Sequence, residues 1–379
     1  MTRKWTAKGQ RLALGALVSV LAALTGCNNF FPPVNPVPPP SSSGDYAYVA
    51  NLTASTLSGF SLSTGKLQSV PKSPLTLNYQ PVATVVAPNN KFLYVAAPGT
   101  INLSTINSDG SLTAPSGGAG AAIANVVSMD ISPDGKWLLA LDSTPLIAQV
   151  DLFQIDSSTG ALASLSPVTF AIPKATIVPR MLRFAPNGSY VFAALGTAGD
   201  LVFSFNTTNG SLITVQQLPV GSSTSDNGLA IDGATVNLYI ARSGNGGGVA
   251  VYNIGSGGKL NAVTGSPFDS GGQSYALTFD RTGKYLYAAN RLNGTIYGYL
   301  VSAGPTLTAL GGSPYTAGQQ VTSLGVDNSG KYLMAASFGG RPDVSLFSFD
   351  ATTPGKLVQA DSSSPGRNPS GAIAVALTH

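Results

Sequence analysis

Tyr46-Ala47-Tyr48-Val49-Ala50 returns, its alternation intact, as Phe92-Leu93-Tyr94-Val95-Ala96 and again as Trp137-Leu138-Leu139-Ala140. Four more versions follow: Tyr190-Val191-Phe192-Ala193, Leu238-Tyr239-Ile240-Ala241, Tyr285-Leu286-Tyr287-Ala288 and Tyr332-Leu333-Met334-Ala335. Between Tyr48, Tyr94, Leu139, Phe192, Tyr239, Tyr287 and Met334 the steps are 46, 45, 53, 47, 48 and 47 residues. A unit of this length cannot bury both of its faces alone, so it must stack on its neighbours.

Each copy repeats the same internal order. A turn of the Pro-Asp-Gly kind precedes the aromatic strand, as in Pro133-Asp134-Gly135 or Pro186-Asn187-Gly188, and an apolar strand precedes that turn. A third alternating strand follows, at residues 56–62, 100–106, 148–155, 201–205, 249–254, 295–300 and 344–349. Gly-x-Leu then opens a fourth, at Gly65, Gly110, Gly160, Gly210, Gly258 and Gly355; the sixth copy keeps only Leu307. Period-two alternation joined by Gly, Asn and Asp turns marks antiparallel hairpins. Four short strands per repeat make one propeller blade. The fold expected is therefore all-β, a seven-bladed β-propeller of four-stranded antiparallel blades over residues 45–379.

The two ends predict how the ring closes. The first copy has no leading strand, while the chain finishes with a spare one, Gly371-Ala372-Ile373-Ala374-Val375-Ala376-Leu377. Inserting it beside Tyr46-Ala47-Tyr48 completes blade 1 from both termini and removes the exposed edge.

Residues 1–26 read as a signal peptide. Arg3, Lys4, Lys8 and Arg11 precede an apolar run from Leu12 to Leu24, too short to span a bilayer but suited to export. The run ends in Leu24-Thr25-Gly26-Cys27, which resembles the bacterial lipobox, and Cys27 is the only cysteine. Lipidation at Cys27 and a membrane partner reached through that anchor are expected. By analogy, Asn28 after the cysteine points to the outer membrane of a cell envelope, periplasmic or surface-facing. Residues 27–44, rich in Pro and Ser, read as an extended tether able to hold a domain roughly 50 Å from a surface.

Composition removes several chemistries. The sixteen acids are all Asp, and His379, the last residue, is the only histidine. A Ser-His-Asp triad and a His-based zinc helix are therefore excluded. The Asp-bearing turns lack the spacing of a calcium loop, so no metal and no cofactor are expected. Beyond the leader sixteen bases balance sixteen acids, which leaves no basic surface for nucleic acid. A monomer is expected.

Strand direction separates two faces. The 1–2 and 3–4 turns are short and repetitive; the 2–3 and 4–1 connections are longer and varied, so a ligand site belongs with the latter. Gln80, Asn125, Arg180, Asp226, Gln273, Gln320 and Asn368 stand where the innermost strands enter the channel on that face. Arg242, Arg291 and Arg341 occupy the same loop in three consecutive blades. With Arg180 they form a candidate ligand-binding set for a carboxylate or phosphate. The alternative is surface charge paired with Asp200, Asp226 or Asp343.

Tyr48-Val49-Ala50-Asn51 and Tyr287-Ala288-Ala289-Asn290 look like the Tyr-Val-x-Asn repeats of bacterial surface propellers. The complete unit, exemplified by Pro179-Arg180-Met181-Leu182-Arg183-Phe184-Ala185-Pro186-Asn187-Gly188, resembles the lactonase-like seven-bladed propeller family, which includes 6-phosphogluconolactonases. The resemblance covers residues 45–378. It implies His, Glu and Arg around the channel, with a Pro-Arg-His motif. Arg180 matches the Arg, Met181 stands in place of the His, and Leu195 lies where an acid is often found. Opening a lactone needs a base for water and a donor for the leaving oxygen. Arg180 and Asp226 are the residues left as catalytic candidates. Two functions remain: an envelope scaffold binding an anionic sugar, glycan or protein through its variable-loop face, or a lactone hydrolase.

Overall fold

The computed structural model describes residues 45–379 apart from 115–120, 123–124, 144–147, 171, 173–175, 222 and 365–368. The leader, Cys27 and the tether lie outside the described residues, as does Asn368. The described residues form seven antiparallel sheets, each with four strand positions. The 3-10 turn Ser256–Gly258 is the only helical element among them. Blade 4 shows the plan: Met181–Phe184 innermost, then Tyr190–Ala194, Asp200–Phe205 and Leu212–Leu218. In blades 1, 2, 3 and 6 the outermost position is split into two short pieces.

The ring is closed by the C-terminal strand. Ala372–Leu377 pairs antiparallel with Tyr46–Asn51, Ala47 opposite Leu377 and Val49 opposite Val375. Thr378 N–H donates to the Tyr46 carbonyl at 2.9 Å, and Tyr46 N–H returns a bond to Thr378 Oγ1 at 3.0 Å. His379 continues to the foot of blade 2, where its N–H donates to Asn90 Oδ1 at 2.7 Å. The innermost strands lie side by side around the whole ring. They are not laddered to one another, so small polar side chains bridge them. Ser128 Oγ accepts from Leu182 N–H, Asp130 from Phe184 N–H and Ser323 Oγ from Val375 N–H.

One contact recurs between blades. The residue opening the second strand lays its ring over the Gly-x-Leu glycine of the next blade: Tyr46 on Gly110, Phe92 on Gly160, Trp137 on Gly210, Tyr190 on Gly258, Tyr285 on Gly355 and Tyr332 on Gly65. A Cβ on Gly160 would stand 2.7 Å from the Phe92 ring, and one on Gly210 2.6 Å from Trp137. Both glycines also hold φ near +74°, a conformation that favours glycine. Two residues along the strand, Tyr48, Tyr94 and Tyr287 donate to the carbonyls of Gly110, Gly160 and Gly355 at 2.8, 2.8 and 2.6 Å. The junction of blades 5 and 6 lacks both halves. Asn237 replaces the ring, blade 6 has no such glycine, and the buried Tyr239 hydroxyl has no partner.

Each blade junction therefore serves as a control for the others. Tyr48→Phe, Tyr94→Phe and Tyr287→Phe should each cost about 0.5–1.5 kcal/mol in urea unfolding, while Tyr239→Phe should cost nothing. Deleting residues 370–379 should abolish cooperative thermal unfolding; a truncated chain that melts like its parent would refute closure by the C-terminal strand.

Candidate functional site

On the face of the 2–3 and 4–1 connections, the junction of blades 4 and 5 gathers the chain's most unusual charges. Asp226 lies in the innermost strand Thr224–Ile231, and Arg242 lies near the end of the adjacent Asn237–Gly244. They face each other in register, and the guanidinium grips the carboxylate twice, Nε to Oδ1 at 2.6 Å and Nη2 to Oδ2 at 2.8 Å. The Asp226 side chain is fully buried and that of Arg242 is 14% exposed. Burial works against the arginine's charge, but the hydrogen bonding and charge of Asp226 outweigh it and raise its pKa. This is a fork-to-fork pair in a dry setting, strong because each partner satisfies the other.

Asp200 opens the third strand of blade 4 and is also fully buried. As a carboxylate, neither of its oxygens would have a donor. Burial, and then the negative charge of Asp226, push its pKa well above the ordinary value. Both influences favour its protonated form.

Arg180 lies at the entrance of blade 4's innermost strand, where Asn227, the neighbour of Asp226, lies in blade 5. Its N–H donates to the Ala194 carbonyl at 2.9 Å, just ahead of Met181 opposite Ala194. The place corresponding to Arg242 is then Leu195, fully buried and apolar. Blade 5 supplies a countercharge here and blade 4 does not. Arg180 is half-buried, and its Nε is shielded from water with no hydrogen-bond partner. An unpaired guanidinium nitrogen in that setting calls for an acceptor from outside the chain.

The other sequence candidates separate. Arg291 stacks over the Tyr275 ring at 4.7 Å, and its N–H donates to the Gln273 carbonyl at 3.1 Å. Arg341 is exposed, with φ of +59°. Among the described residues neither joins an ion pair, and nor does Arg180. Of the acids set against the arginines in the sequence, only Asp226 takes one. Asp343 instead accepts from Ser370 N–H at 2.7 Å, holding the segment that leads into the last strand. Asp142 does the same for Asn125 N–H at 3.0 Å. Sequence reasoning named Asp343 and Asn125 but not these roles, and it gave no sign of the raised pKa of Asp200. Among the described residues no group of three His, Cys or Asp side chains is placed to hold a metal ion.

Removing one half of the buried pair should be costly: Arg242→Ala is expected to lower stability by about 3–5 kcal/mol, because it strands a buried carboxylate. Asp200→Asn should stay within about 1 kcal/mol of the parent, since it removes a carboxyl whose charge burial and Asp226 both disfavour. Urea titrations of the two variants compare them directly.

The family model described as "Lactonase, 7-bladed beta-propeller" matches residues 234–372, which run from the end of blade 5's first hairpin turn to the start of the closing strand. No curated protein matches the chain by sequence. Among solved structures, the periplasmic gluconolactonase PpgL of Pseudomonas aeruginosa superposes with a TM-score of 0.71 at 16% identity, covering 89% of this chain and 99% of that one. A candidate 6-phosphogluconolactonase of Bacteroides fragilis gives 0.70 at 19%, covering 90% and 100%. One of Bacteroides uniformis gives 0.69 at 19%, covering 84% and 95%. At such identities the likeness speaks for the fold alone. The repeats and the closure by the last strand make the chain a seven-bladed β-propeller, and its residues 234–372 match the lactonase propeller family.

Proposed function

We propose that this propeller is a binding module of the bacterial envelope, lipid-anchored at Cys27, that takes an anionic sugar on its variable-loop face. The observation that carries the reading is the bare Nε of Arg180. In blade 5 Asp226 and Arg242 neutralise each other, whereas in blade 4 the place matching Arg242 is the apolar Leu195 and Arg180 joins no ion pair among the described residues, leaving it to take a ligand's carboxylate or phosphate. Arg291, already flattened against Tyr275, and the exposed Arg341 extend positive charge around the same face. The anchor rests on the sequence of residues 12–27.

The second reading is a lactone hydrolase, favoured by the gluconolactonase among the similar structures. Ring opening needs a group that takes a proton from water. Asp226 has both oxygens engaged by Arg242, and burial and the charge of Asp226 hold Asp200 toward its protonated form. Lactone chemistry here would have to draw its base from elsewhere on the face, with Arg180 orienting the substrate.

Calorimetry on residues 41–379 with gluconate and 6-phosphogluconate tests both readings. Arg180→Ala should weaken binding at least tenfold, in line with about 1.5–3 kcal/mol for a charged hydrogen bond. Unchanged affinity in that variant would refute the site. Arg180-dependent turnover of a sugar-lactone panel would favour the hydrolase instead.

A further inference from the structure

The ring seam carries a charge arrangement that the repeat itself would not produce. In every blade, the residue just before the second strand accepts a hydrogen bond from the third strand through its carbonyl. Leu62 N–H binds Asp45 in this way, as Ile106 binds Lys91, Ile155 binds Lys136, Val301 binds Lys284 and Phe349 binds Lys331. Four of the seven blades thus place a lysine there, and Ser189 and Val236 fill two more. Blade 1 alone places an acid.

That acid meets another. Asp45 Oδ1 accepts from Asn328 N–H at 3.3 Å, in the 1–2 turn of blade 7, whose first residue is the fully buried Asp327. Asp327 accepts from donors of its own turn: Ser329 N–H at 3.1 Å, the Ser329 hydroxyl and Tyr332 N–H at 2.6 Å. Blade 6 builds the same turn on Asp280, with Thr282 and Tyr285 as donors. There the following blade offers Lys331 at the position where blade 1 offers Asp45.

We propose that the Asp45–Asp327 pair is a proton-operated latch on the propeller's closing seam, tight when one proton is shared between the two carboxyls and loosened when it leaves. With Asp327 already accepting three hydrogen bonds, the shared proton is placed on Asp45. Burial first, and then hydrogen bonding and repulsion from Asp327, raise the Asp45 carboxyl to about 7. The charged groups acting on it are Asp327 from blade 7 and Arg281 from blade 6; the guanidinium of Arg281 donates to the Asp327 carbonyl at 3.0 Å. In an opened seam Asp45 returns to the ordinary carboxylate value. A group raised on closing stabilises the closed form fully below its free value and loses that contribution as pH rises through its raised one. Opening should therefore become about tenfold more favourable per pH unit from about 4 to about 7, then level off.

Hydrogen exchange on the full chain between pH 5 and pH 8, corrected for intrinsic rates, reads the latch directly. Relative to Asn237–Gly244, the seam strands Tyr46–Asn51 and Ala372–Leu377 should exchange about a hundredfold more slowly at pH 5 than at pH 7. Asp45→Asn and Asp45→Lys should both flatten that profile, the lysine by placing at the seam the residue type that four other blades carry there. A flat profile in the parent, or the parent's profile persisting in either variant, would overturn the proposal. So would an Asp45 carboxyl that titrates below pH 5 by NMR in the unmodified chain, a measurement that needs no variant to fold.

Discussion

An aromatic ring seated on a bare glycine of the next blade is the constraint from which the rest of this molecule follows. The ring needs a floor without a Cβ, and the floor needs a backbone in the left-handed region, so both halves of the contact are narrow in what they accept. Six junctions meet the requirement. At the remaining one, ring and glycine are both gone, replaced by Asn237 and a turn that keeps only Leu307. The orphaned Tyr239 hydroxyl beside that junction shows what happens when only the deeper residue is kept.

The same contact explains why function belongs to the opposite face. Every ring, glycine and tyrosine of the clasp sits at a 1–2 or 3–4 turn, so those turns cannot change without loosening the stack. The 2–3 and 4–1 connections carry no comparable obligation. Instead they use buried polar residues at the end of each second strand or the start of the third to hold the chain entering the channel: Asn51 and Asp343 on Ser370, Asp142 on Asn125, Arg242 on Asp226. Blade 4 departs from this pattern: Leu195 is apolar there, and Arg180 joins no ion pair among the described residues.

Much of this was legible in the residues. Seven versions of Tyr46-Ala47-Tyr48 at steps near 47, and one strand too many at the C-terminus, dictated blade number and closure, because hydrophobic alternation has to find a partner sheet. The rings of Tyr46, Trp137 and Tyr285 were readable as blade-to-blade packing for the same reason. The site was less legible. Four arginines look alike in a string of letters, and nothing local distinguishes the one locked to Asp226 from the one stacked on Tyr275 or the one left bare.

The sequence alone determined the strand content, the seven-fold stacking, the insertion of the last strand into blade 1 and the lack of side chains for His-based catalysis. These are consequences of periodicity and composition, which act locally or add up over the chain. Only the tertiary structure decided which charges neutralise each other, that burial raises the pKa of Asp200, that Asp45 confronts an acid where other blades offer a lysine, and that Arg180 Nε is left bare. Ionisation and pairing depend on distance and on exclusion of water, and both are set within and between blades, by residues from sixteen to nearly three hundred positions apart.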